Sequence, residues 1–337
     1  MRTPAPSLAS RIRRHALVAE IGRQLAGRCR WTPGSPIAVG CSGGVDSCVL
    51  LAACAAISRR RSSRGAVTAV HVHHHLRADA DVDAAHVAML ARELDVPYVR
   101  RDVHPVRRGR GLAHDARGLR HAALLDAARE AGATHIALAH HADDRLETLL
   151  MHLGRGTGLR GLGSIPWSRP AARGSGVRIA RPMLALTRQE IVACAREVGI
   201  AWRDDPGNAD PSTARGMLRT QVIPALRMRW PSVAQHASSA ADGARAGLLA
   251  GHAWSRARTA CAAPGRTLLR AAGPDLACLL IDSWLRAHGV KATWIQVTRI
   301  ARAAVAPDHE PRTYPAGCRC VVVRSRALSI GGSASAP

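Results

Sequence analysis

Residues 37–47, IAVGCSGGVDS, decide the fold of this chain. The first five are small, apolar or β-branched, which is typical of a buried strand, and residues 49–57 carry apolar side chains at helical spacing. The stretch therefore predicts a strand that turns directly into a helix. The turn between them consists of Ser42, Gly43, Gly44, Val45, Asp46 and Ser47.

The composition of this turn suits a phosphate group. Gly43 and Gly44 permit positive φ and close backbone approach, so their N–H groups can point at a phosphate while the helix dipole adds positive potential. Ser42 and Ser47 add hydroxyl donors. Asp46 is the exception, because a carboxylate repels phosphate. We expect Asp46 to coordinate Mg²⁺, and the alternative is that it caps the helix.

Strand-like and helix-like patterns alternate beyond this turn. Such alternation predicts an α/β fold, a doubly wound parallel sheet of Rossmann-like type, followed by a smaller and mainly helical domain. The residues from 154 to 176 are rich in Gly, Pro and Arg and predict a long loop. Further strands are predicted at 67–72, 98–103 and 135–139, and further helices at 83–94 and 119–131.

Three parts are predicted along the chain. Residues 1–35 form an N-terminal helix packed on the first domain, with Leu8, Ile12 and Leu17 at helical spacing. Residues 36–215 form the sheet domain, and residues 216–337 form a basic, mainly helical domain with a C-terminal hairpin. Thr187 and Glu190 predict a capping box, and Ser212 is expected to cap a helix that ends near Pro224.

Charge indicates the kind of partner. The 337 residues include 48 basic and 24 acidic side chains, a net charge of +24, and Lys291 is the only lysine. This imbalance favours a polyanion such as nucleic acid, although coding bias could explain the preference for arginine. No apolar stretch approaches the roughly 20 residues of a membrane span. Nine cysteines without a paired framework predict a reduced, cytoplasmic enzyme.

Residues 42–47 lack the lysine and the spacing of the phosphate-binding loop of P-loop NTPases. They resemble the Ser-Gly-Gly-x-Asp-Ser signature of N-type ATP pyrophosphatases, which cleave ATP between the α and β phosphates. Four further stretches narrow the resemblance: HVHHHLR at 71–77, HHADDRLET at 140–148, GRGTGLRGL at 154–162 and Arg181-Pro182. Together with Trp202, Asp205-Pro206 and Asn208, they resemble the tRNA(Ile)-lysidine synthases. That family uses ATP to join L-lysine to C2 of the wobble cytidine of tRNA(Ile) with a CAU anticodon, releasing AMP and pyrophosphate.

The resemblance implies roles for particular side chains. Asp144 and Glu147, three apart on a helix, would bind the ammonium group of lysine and act in catalysis with Asp46 and Arg117; the alternative is that these acids only favour the positive helix start. His73 would lie against the adenine of ATP. Alternatively, His73 and His75 could share a metal ion, since they point to one face of the strand and His74 to the other. The residues expected to contact tRNA are Arg120, Arg155, Arg160, Arg215 and Arg219.

This chain departs from the family pattern at five positions: Ala113 for Glu, His121 for an aromatic residue, Arg145 for Gln, His75 for Gly and Gly216 for Asn. Three alternatives stay open: a tRNA thiolase, a small-molecule ligase and a non-catalytic RNA-binding protein with a nucleotide fold. Thiolases that hold iron–sulfur clusters need closely placed cysteines. The nearest pair here is Cys318 and Cys320, so we expect no metal cluster.

Overall fold

The structure is a computed structural model that describes residues 7–59, 67–76, 79–106, 112–203, 210–258, 263–306, 311–324 and 326–333. Of the quoted motifs, Arg77, Asp205-Pro206 and Asn208 lie outside these ranges, and the side chain of Ala113 is not described. The chain divides into two compact units. The first comprises Met1–Glu147 and Ile165–Ser238, and the second comprises Thr148–Ser164 and Ser239–Pro337.

A six-stranded sheet with the order β3-β2-β1-β4-β6-β5 organises the first unit. Neighbouring strands are parallel except β5, which pairs antiparallel with β6 at the edge. The predicted α/β fold class is therefore confirmed. The strands are β1 Ile37–Gly40, β2 Val67–His73, β3 Tyr98–Asp102, β4 His135–Ala137, β5 Ser168–Pro170 and β6 Arg178–Ala180.

Helices cover both faces of this sheet. One core cluster joins β1 and β2 to side chains of α1–α4 and α8, including Leu50, Leu51 and Ile191, and another joins the strands to α5 through Leu124 and Ala128. The helices of the first unit are α1 Leu8–Arg14, α2 Ala16–Ala26, α3 Val45–Arg59, α4 Ala80–Glu93, α5 Leu112–Glu130, the start of α6 Ala142–Gly154, α8 Arg188–Val198, α9 Ala214–Met217 and α10 Ile223–Arg229. A π-helical turn, Leu218–Val222, joins α9 to α10.

The N-terminal segment forms two helices where one was predicted. His15 lies between them in an extended conformation, and its Nδ1 accepts a hydrogen bond from the backbone N–H of Leu17. His15 thereby caps the start of α2 and ends α1. The predicted apolar positions Leu8, Ile12 and Leu17 are nevertheless buried.

The helix ends test the capping predictions. The capping box of α8 is confirmed, with Thr187 and Glu190 each bonding the backbone of the other. The prediction for Ser212 was wrong, because Thr213 accepts the hydrogen bond from Gly216 N–H and caps α9. The helix also continues past Pro224, since this proline lies in the first turn of α10, where a missing N–H is tolerated.

The second unit packs helices against a small sheet. Its elements are α7 Leu159–Leu162, most of α11 Val233–Arg258, α12 Arg266–Ala287, α13 Trp294–Val305, β7 Arg312–Ala316, β8 Arg319–Val323 and β9 Leu328–Ser333. Strands β8 and β9 form the antiparallel pair at the predicted hairpin, and β7 adds a third strand. Leu280, Ile281 and Val297 lie in the hydrophobic core of the second unit. Among the helices of the described residues, none combines the length and apolar character needed to cross a membrane.

Candidate active site

The candidate site lies where the strand order of the sheet reverses. From β1 the chain proceeds through β2 to β3 on one side, and then returns to place β4 on the other side of β1. The carboxyl ends of such neighbouring strands leave a crevice in which ligands of open α/β sheets bind. Residues 42–47 follow β1 and residues 140–147 follow β4. Both segments predicted to be functional therefore border one crevice.

Hydroxyl groups hold the turn after β1 in shape. Ser47 Oγ donates to the Gly44 carbonyl at 2.9 Å and accepts from Ser42 N–H at 3.1 Å, while the two serine hydroxyls lie 3.3 Å apart. Gly43 has φ +92, a conformation that strongly favours glycine. Helix α3 begins directly afterwards at Val45. The turn thus presents the first N–H groups of a helix, which carry no intrahelical partner.

Asp46 lies in the first turn of α3 and faces the segment after β4. Its Oδ2 is 3.7 Å from His141 Nε2 and 4.0 Å from an Arg188 guanidinium nitrogen. Burial raises the pKa of Asp46, and the charges of His141 and Arg188 oppose that rise. Its buried Oδ1 makes no hydrogen bond among the described residues. A buried carboxylate oxygen without a hydrogen bond among the described residues, beside a turn predicted to bind phosphate, fits a Mg²⁺ ligand.

Asp144 has two partners at the start of α6. Its Oδ2 accepts a hydrogen bond from His141 N–H at 3.1 Å, so this acid does cap the helix, and its Oδ1 accepts one from Arg219 at 3.1 Å. Burial alone would raise the pKa of Asp144, but His141, His140 and Arg219 lower it to about 2. Asp144 is therefore ionised at neutral pH.

Glu147 is buried one helical turn further along α6. Its side chain is 2% exposed; Arg219 Nε donates to Oε1, and Arg215 Nε lies 3.1 Å from Oε2. Burial raises the pKa of Glu147, Arg219 opposes this, and the charge of Asp144 adds to the rise. The two acids predicted to bind an ammonium group thus share the cation Arg219.

Asp143 completes the acidic group. Its Oδ2 accepts a hydrogen bond from Arg188 N–H at 2.8 Å, which fixes the start of α8, and its Oδ1 accepts one from the Arg227 guanidinium. No role was predicted from the sequence for His141, Arg188 or Arg227. The four-residue spacing of Asp143 and Glu147 was a usable signal for a common face, but no sequence signal links Arg188 to Asp46.

The arginines expected to contact tRNA lie in different places. Arg215 and Arg219 contact the acids of α6. Arg120 lies on α5, where burial and the neighbouring charge of Arg117 lower its pKa. Arg155 and Arg160 belong to the second unit, where Arg160 lies 3.9 Å from Asp282.

Arg145, one of the departures from the family pattern, is a structural residue. Its side chain is completely buried and donates to the carbonyls of Ile165 at 2.9 Å and Ser238 at 3.0 Å, and to Ser238 Oγ at 2.7 Å. Its guanidinium carbon lies 5.3 Å from the centre of the Trp167 ring. Through these contacts Arg145 anchors α6 to the segments that hold Ile165 and Ser238.

Comparison with known proteins gives a consistent result. A family model described as the PP-loop domain matches residues 17–226. The chain is 42% identical over 212 residues to the tRNA(Ile)-lysidine synthase of Xanthomonas campestris pv. campestris, covering 63% of this chain and 47% of that protein. It is 39% identical over 252 residues to the tRNA(Ile)-lysidine synthase of Bordetella parapertussis, covering 72% and 70%. This chain thus spans about half the length of the Xanthomonas relative.

One solved structure shares the fold. The U34-tRNA thiolase NcsA from Methanococcus maripaludis, with its 4Fe-4S cluster, has a TM-score of 0.55 and 14% sequence identity, covering 68% of this chain and 78% of that chain. At this identity the likeness concerns the fold alone.

Proposed function

Since the chain belongs to the PP-loop domain family, and within it to the tRNA(Ile)-lysidine synthases, we propose that it uses ATP to join L-lysine to C2 of the wobble cytidine in tRNA(Ile) with a CAU anticodon. One observation supports this above the others. Asp46 of the phosphate-binding turn and Asp144 of the acidic group both lie within 4 Å of His141 Nε2, at 3.7 Å and 3.5 Å. ATP bound on the turn and an amine bound at the acids would therefore be neighbours.

The proposed reaction has two steps. The C2 oxygen of cytidine attacks the α-phosphate of ATP, the bond to the β-phosphate breaks, and pyrophosphate leaves. The lysine ε-amine then attacks C2 of the adenylated base, and AMP leaves with the former C2 oxygen. The products are lysidine, AMP and pyrophosphate.

The residues of the turn act on the phosphates. The N–H groups of Gly43, Gly44 and Val45 and the hydroxyl of Ser42 would bind phosphate oxygens and stabilise charge on the departing pyrophosphate. Asp46 would hold Mg²⁺, which neutralises phosphate charge when bound.

The acids act on the amine. Lysine attacks only after its ammonium group loses a proton, and the raised pKa of Glu147 makes this carboxylate the better proton acceptor of the pair. Asp144, with its low pKa, would stay ionised and hold the amine in place. Because Arg219 contacts both acids, lysine must displace its guanidinium group or share the carboxylates with it. Arg117 is proposed to act on the phosphates from α5.

The charge of +24 supports tRNA as the second substrate. Arg120, Arg155, Arg160, Arg215 and Arg219 are proposed contacts, and residues 216–337 are proposed as the basic tRNA-binding region. Binding should weaken steeply as salt rises, because each neutralised phosphate releases condensed counterions.

The test is catalytic. The full chain is incubated with ATP, radiolabelled lysine and unmodified tRNA(Ile), and label in the tRNA is counted. Asp46→Ala should abolish both label transfer and AMP formation, whereas Asp126→Ala, a change at an exposed acid on α5, should leave both unchanged.

Three outcomes would contradict the proposal. Asp46→Ala with full AMP formation would remove the metal role of Asp46. Failure to transfer lysine, with transfer of sulfur from a sulfur donor under the same conditions, would identify a tRNA thiolase instead. Salt-sensitive tRNA binding with neither reaction would leave a non-catalytic RNA-binding protein.

A further inference from the structure

A second group of potential ligands lies at the carboxyl end of β2 and β3. His73 is the last residue of β2, Asp102 is the last residue of β3, and the two are paired in the register of the parallel strands. His75 follows two residues after His73. One side-chain atom from each of the three residues lies within 4.8 Å of the others.

The spacing of these atoms is close to that of a metal site. Asp102 Oδ1 is 2.7 Å from His75 Nε2 and 3.8 Å from His73 Nδ1. Ligand atoms around a tetrahedral zinc ion lie about 3.3 Å apart when the metal bonds are about 2.0 Å long. These two separations bracket this value, and the third, between the two imidazole nitrogens, is within 4.8 Å. An ion at the centre would replace the hydrogen bond that His73 Nδ1 accepts from His75 N–H at 3.3 Å and the one between His75 and Asp102.

The environment of His73 favours a ligand role. Its side chain is 2% exposed, and its Nε2 makes no hydrogen bond among the described residues. This nitrogen faces the Asp81 carboxylate at 3.4 Å. If Nδ1 binds a metal, Nε2 keeps its proton and points towards a carboxylate, which is the usual support for a metal-bound histidine.

The backbone of His75 brings its ring into the group. Its φ of +54 lies in the left-handed region, which a residue other than glycine seldom adopts. As a result the His75 ring lies 4.0 Å from that of His73 and stacks on His104 at 4.5 Å. The strained conformation therefore places the second imidazole beside the first.

We propose that His73, His75 and Asp102 bind one divalent transition-metal ion of the zinc class, with water completing the coordination. Two imidazoles and one carboxylate are ligands that suit Zn²⁺ or Co²⁺ better than Mg²⁺. The site is distinct from Asp46 and needs no ATP, lysine or tRNA. Of the two alternatives for His73, contact with adenine or a metal ion shared with His75, this proposal takes the second. A bound metal would replace the expected contact of His73 with adenine.

Arg100 competes with the metal. Its guanidinium donates to Asp102 Oδ1 at 2.8 Å and to Asp81 Oδ1 at 2.8 Å. An incoming ion must displace Arg100 from Asp102, and the contact with Asp81 gives the guanidinium a second carboxylate to retain. Because Arg100→Gln removes this competition, we expect the variant to bind the metal more tightly.

The experiment measures binding of Zn²⁺ alone and Co²⁺ alone to the full chain by titration calorimetry, with the visible spectrum of Co²⁺ as a second readout. One ion per chain and tetrahedral Co²⁺ bands are expected. His75→Gly and Asp102→Asn should each weaken binding by about tenfold or more. Glycine suits φ +54, so His75→Gly removes the imidazole without opposing the backbone.

Two control variants separate this site from others. His236→Ala removes an exposed histidine of α11, and the double change Cys318→Ser with Cys320→Ser removes the nearest cysteine pair. Both should leave the affinity unchanged. The proposal is overturned if no stoichiometric binding occurs, if His75→Gly binds as tightly as the unmodified chain, or if the cysteine variant abolishes binding. Since no substrate is present, these outcomes are independent of the proposed lysine transfer.

Discussion

Replacement of Arg145 by alanine should weaken the first unit markedly. Its guanidinium donates to the carbonyl oxygens of Ile165 and Ser238. Ser238 lies within α11, so its carbonyl keeps the intrahelical bond from Asp242 N–H without the arginine, and its Oγ still donates to Leu184 O at 2.7 Å. Arg145→Ala therefore deprives the Ile165 carbonyl of a donor and leaves space beside Trp167.

The magnitude follows from that carbonyl and from the lost packing. A polar group that loses its hydrogen bond costs about 1–3 kcal/mol, and the space left by a large buried side chain costs about 2–3 kcal/mol more. Removing a fully buried guanidinium also removes its own desolvation penalty, which offsets part of this loss. We therefore expect a fall of about 2–4 kcal/mol in the free energy of unfolding. Arg145→Gln, the residue typical of the family, retains an amide donor and should lose about half as much.

Urea denaturation followed by tryptophan fluorescence and by circular dichroism measures the change. Trp167, one of the seven tryptophans, lies against Arg145 and contributes to the fluorescence change, while circular dichroism reports helix loss. Arg129→Ala is the matched control, because this arginine is exposed and contacts only Asp126 in the described part of the chain. It should change stability by less than about 0.5 kcal/mol. If Arg145→Ala lowered the free energy of unfolding by no more than this control does, the anchoring role of Arg145 would be refuted.

Three further outcomes are expected. Because the folded-state pKa of Asp144 is about 2, below its ordinary 3.8, its ionised form stabilises the fold by about 2 kcal/mol above pH ~5, and this contribution is lost as the pH falls towards 2. Asp144→Asn should flatten that acid-side loss in denaturation curves, and an unchanged slope would contradict the pKa. Gly216→Ala places a Cβ 1.7 Å from the Asp210 carbonyl oxygen, so unfolding free energy should drop by about 1–3 kcal/mol in a urea titration, whereas an unaltered midpoint would show that this close approach is absent. Thr187→Ala should cost about 1 kcal/mol by loss of the cap, while Thr187→Ser should cost little; equal losses would assign the effect to packing.

The sheet could be predicted because its central strands carry local signals. β1 is a continuous apolar run of the kind that a sheet covered on both faces requires, β2 is rich in valine, and each precedes a segment with helical spacing. By contrast, β5 and β6 are three residues each, and β5 lies in the Gly- and Pro-rich segment that predicted a loop. The pairing of β6 with β4 depends on contacts distant in sequence, and β5 in turn pairs with β6.

The site was predictable to the extent that it lies at strand ends. The turn at 42–47 and the acids Asp144 and Glu147 follow β1 and β4 directly, so the order of strands brings them together. The arginine partners of these acids, Arg215 and Arg219, were instead predicted to contact tRNA, because the sequence shows only that they are basic. Their contacts with acids arise from the packing of α9 and the π-helical turn against α6.

The π-helical turn at Leu218–Val222 sets the directions in which Arg215 and Arg227 point relative to each other. Along an uninterrupted α-helix, Arg215 and Arg227 would point about 120° apart, since each residue advances about 100°. One extra residue absorbed in the wider turn reduces the difference to about 20°, so both can face Glu147 and Asp143 on α6. Deletion of a single residue within Leu218–Val222 would restore the ordinary winding and keep Arg215 and Arg227 in phase, whereas insertion of one more residue would rotate α10 by about 100°. After such an insertion the acids would lose Arg227 while every arginine stayed in the chain, so the spacing between these basic residues carries information that their identity does not.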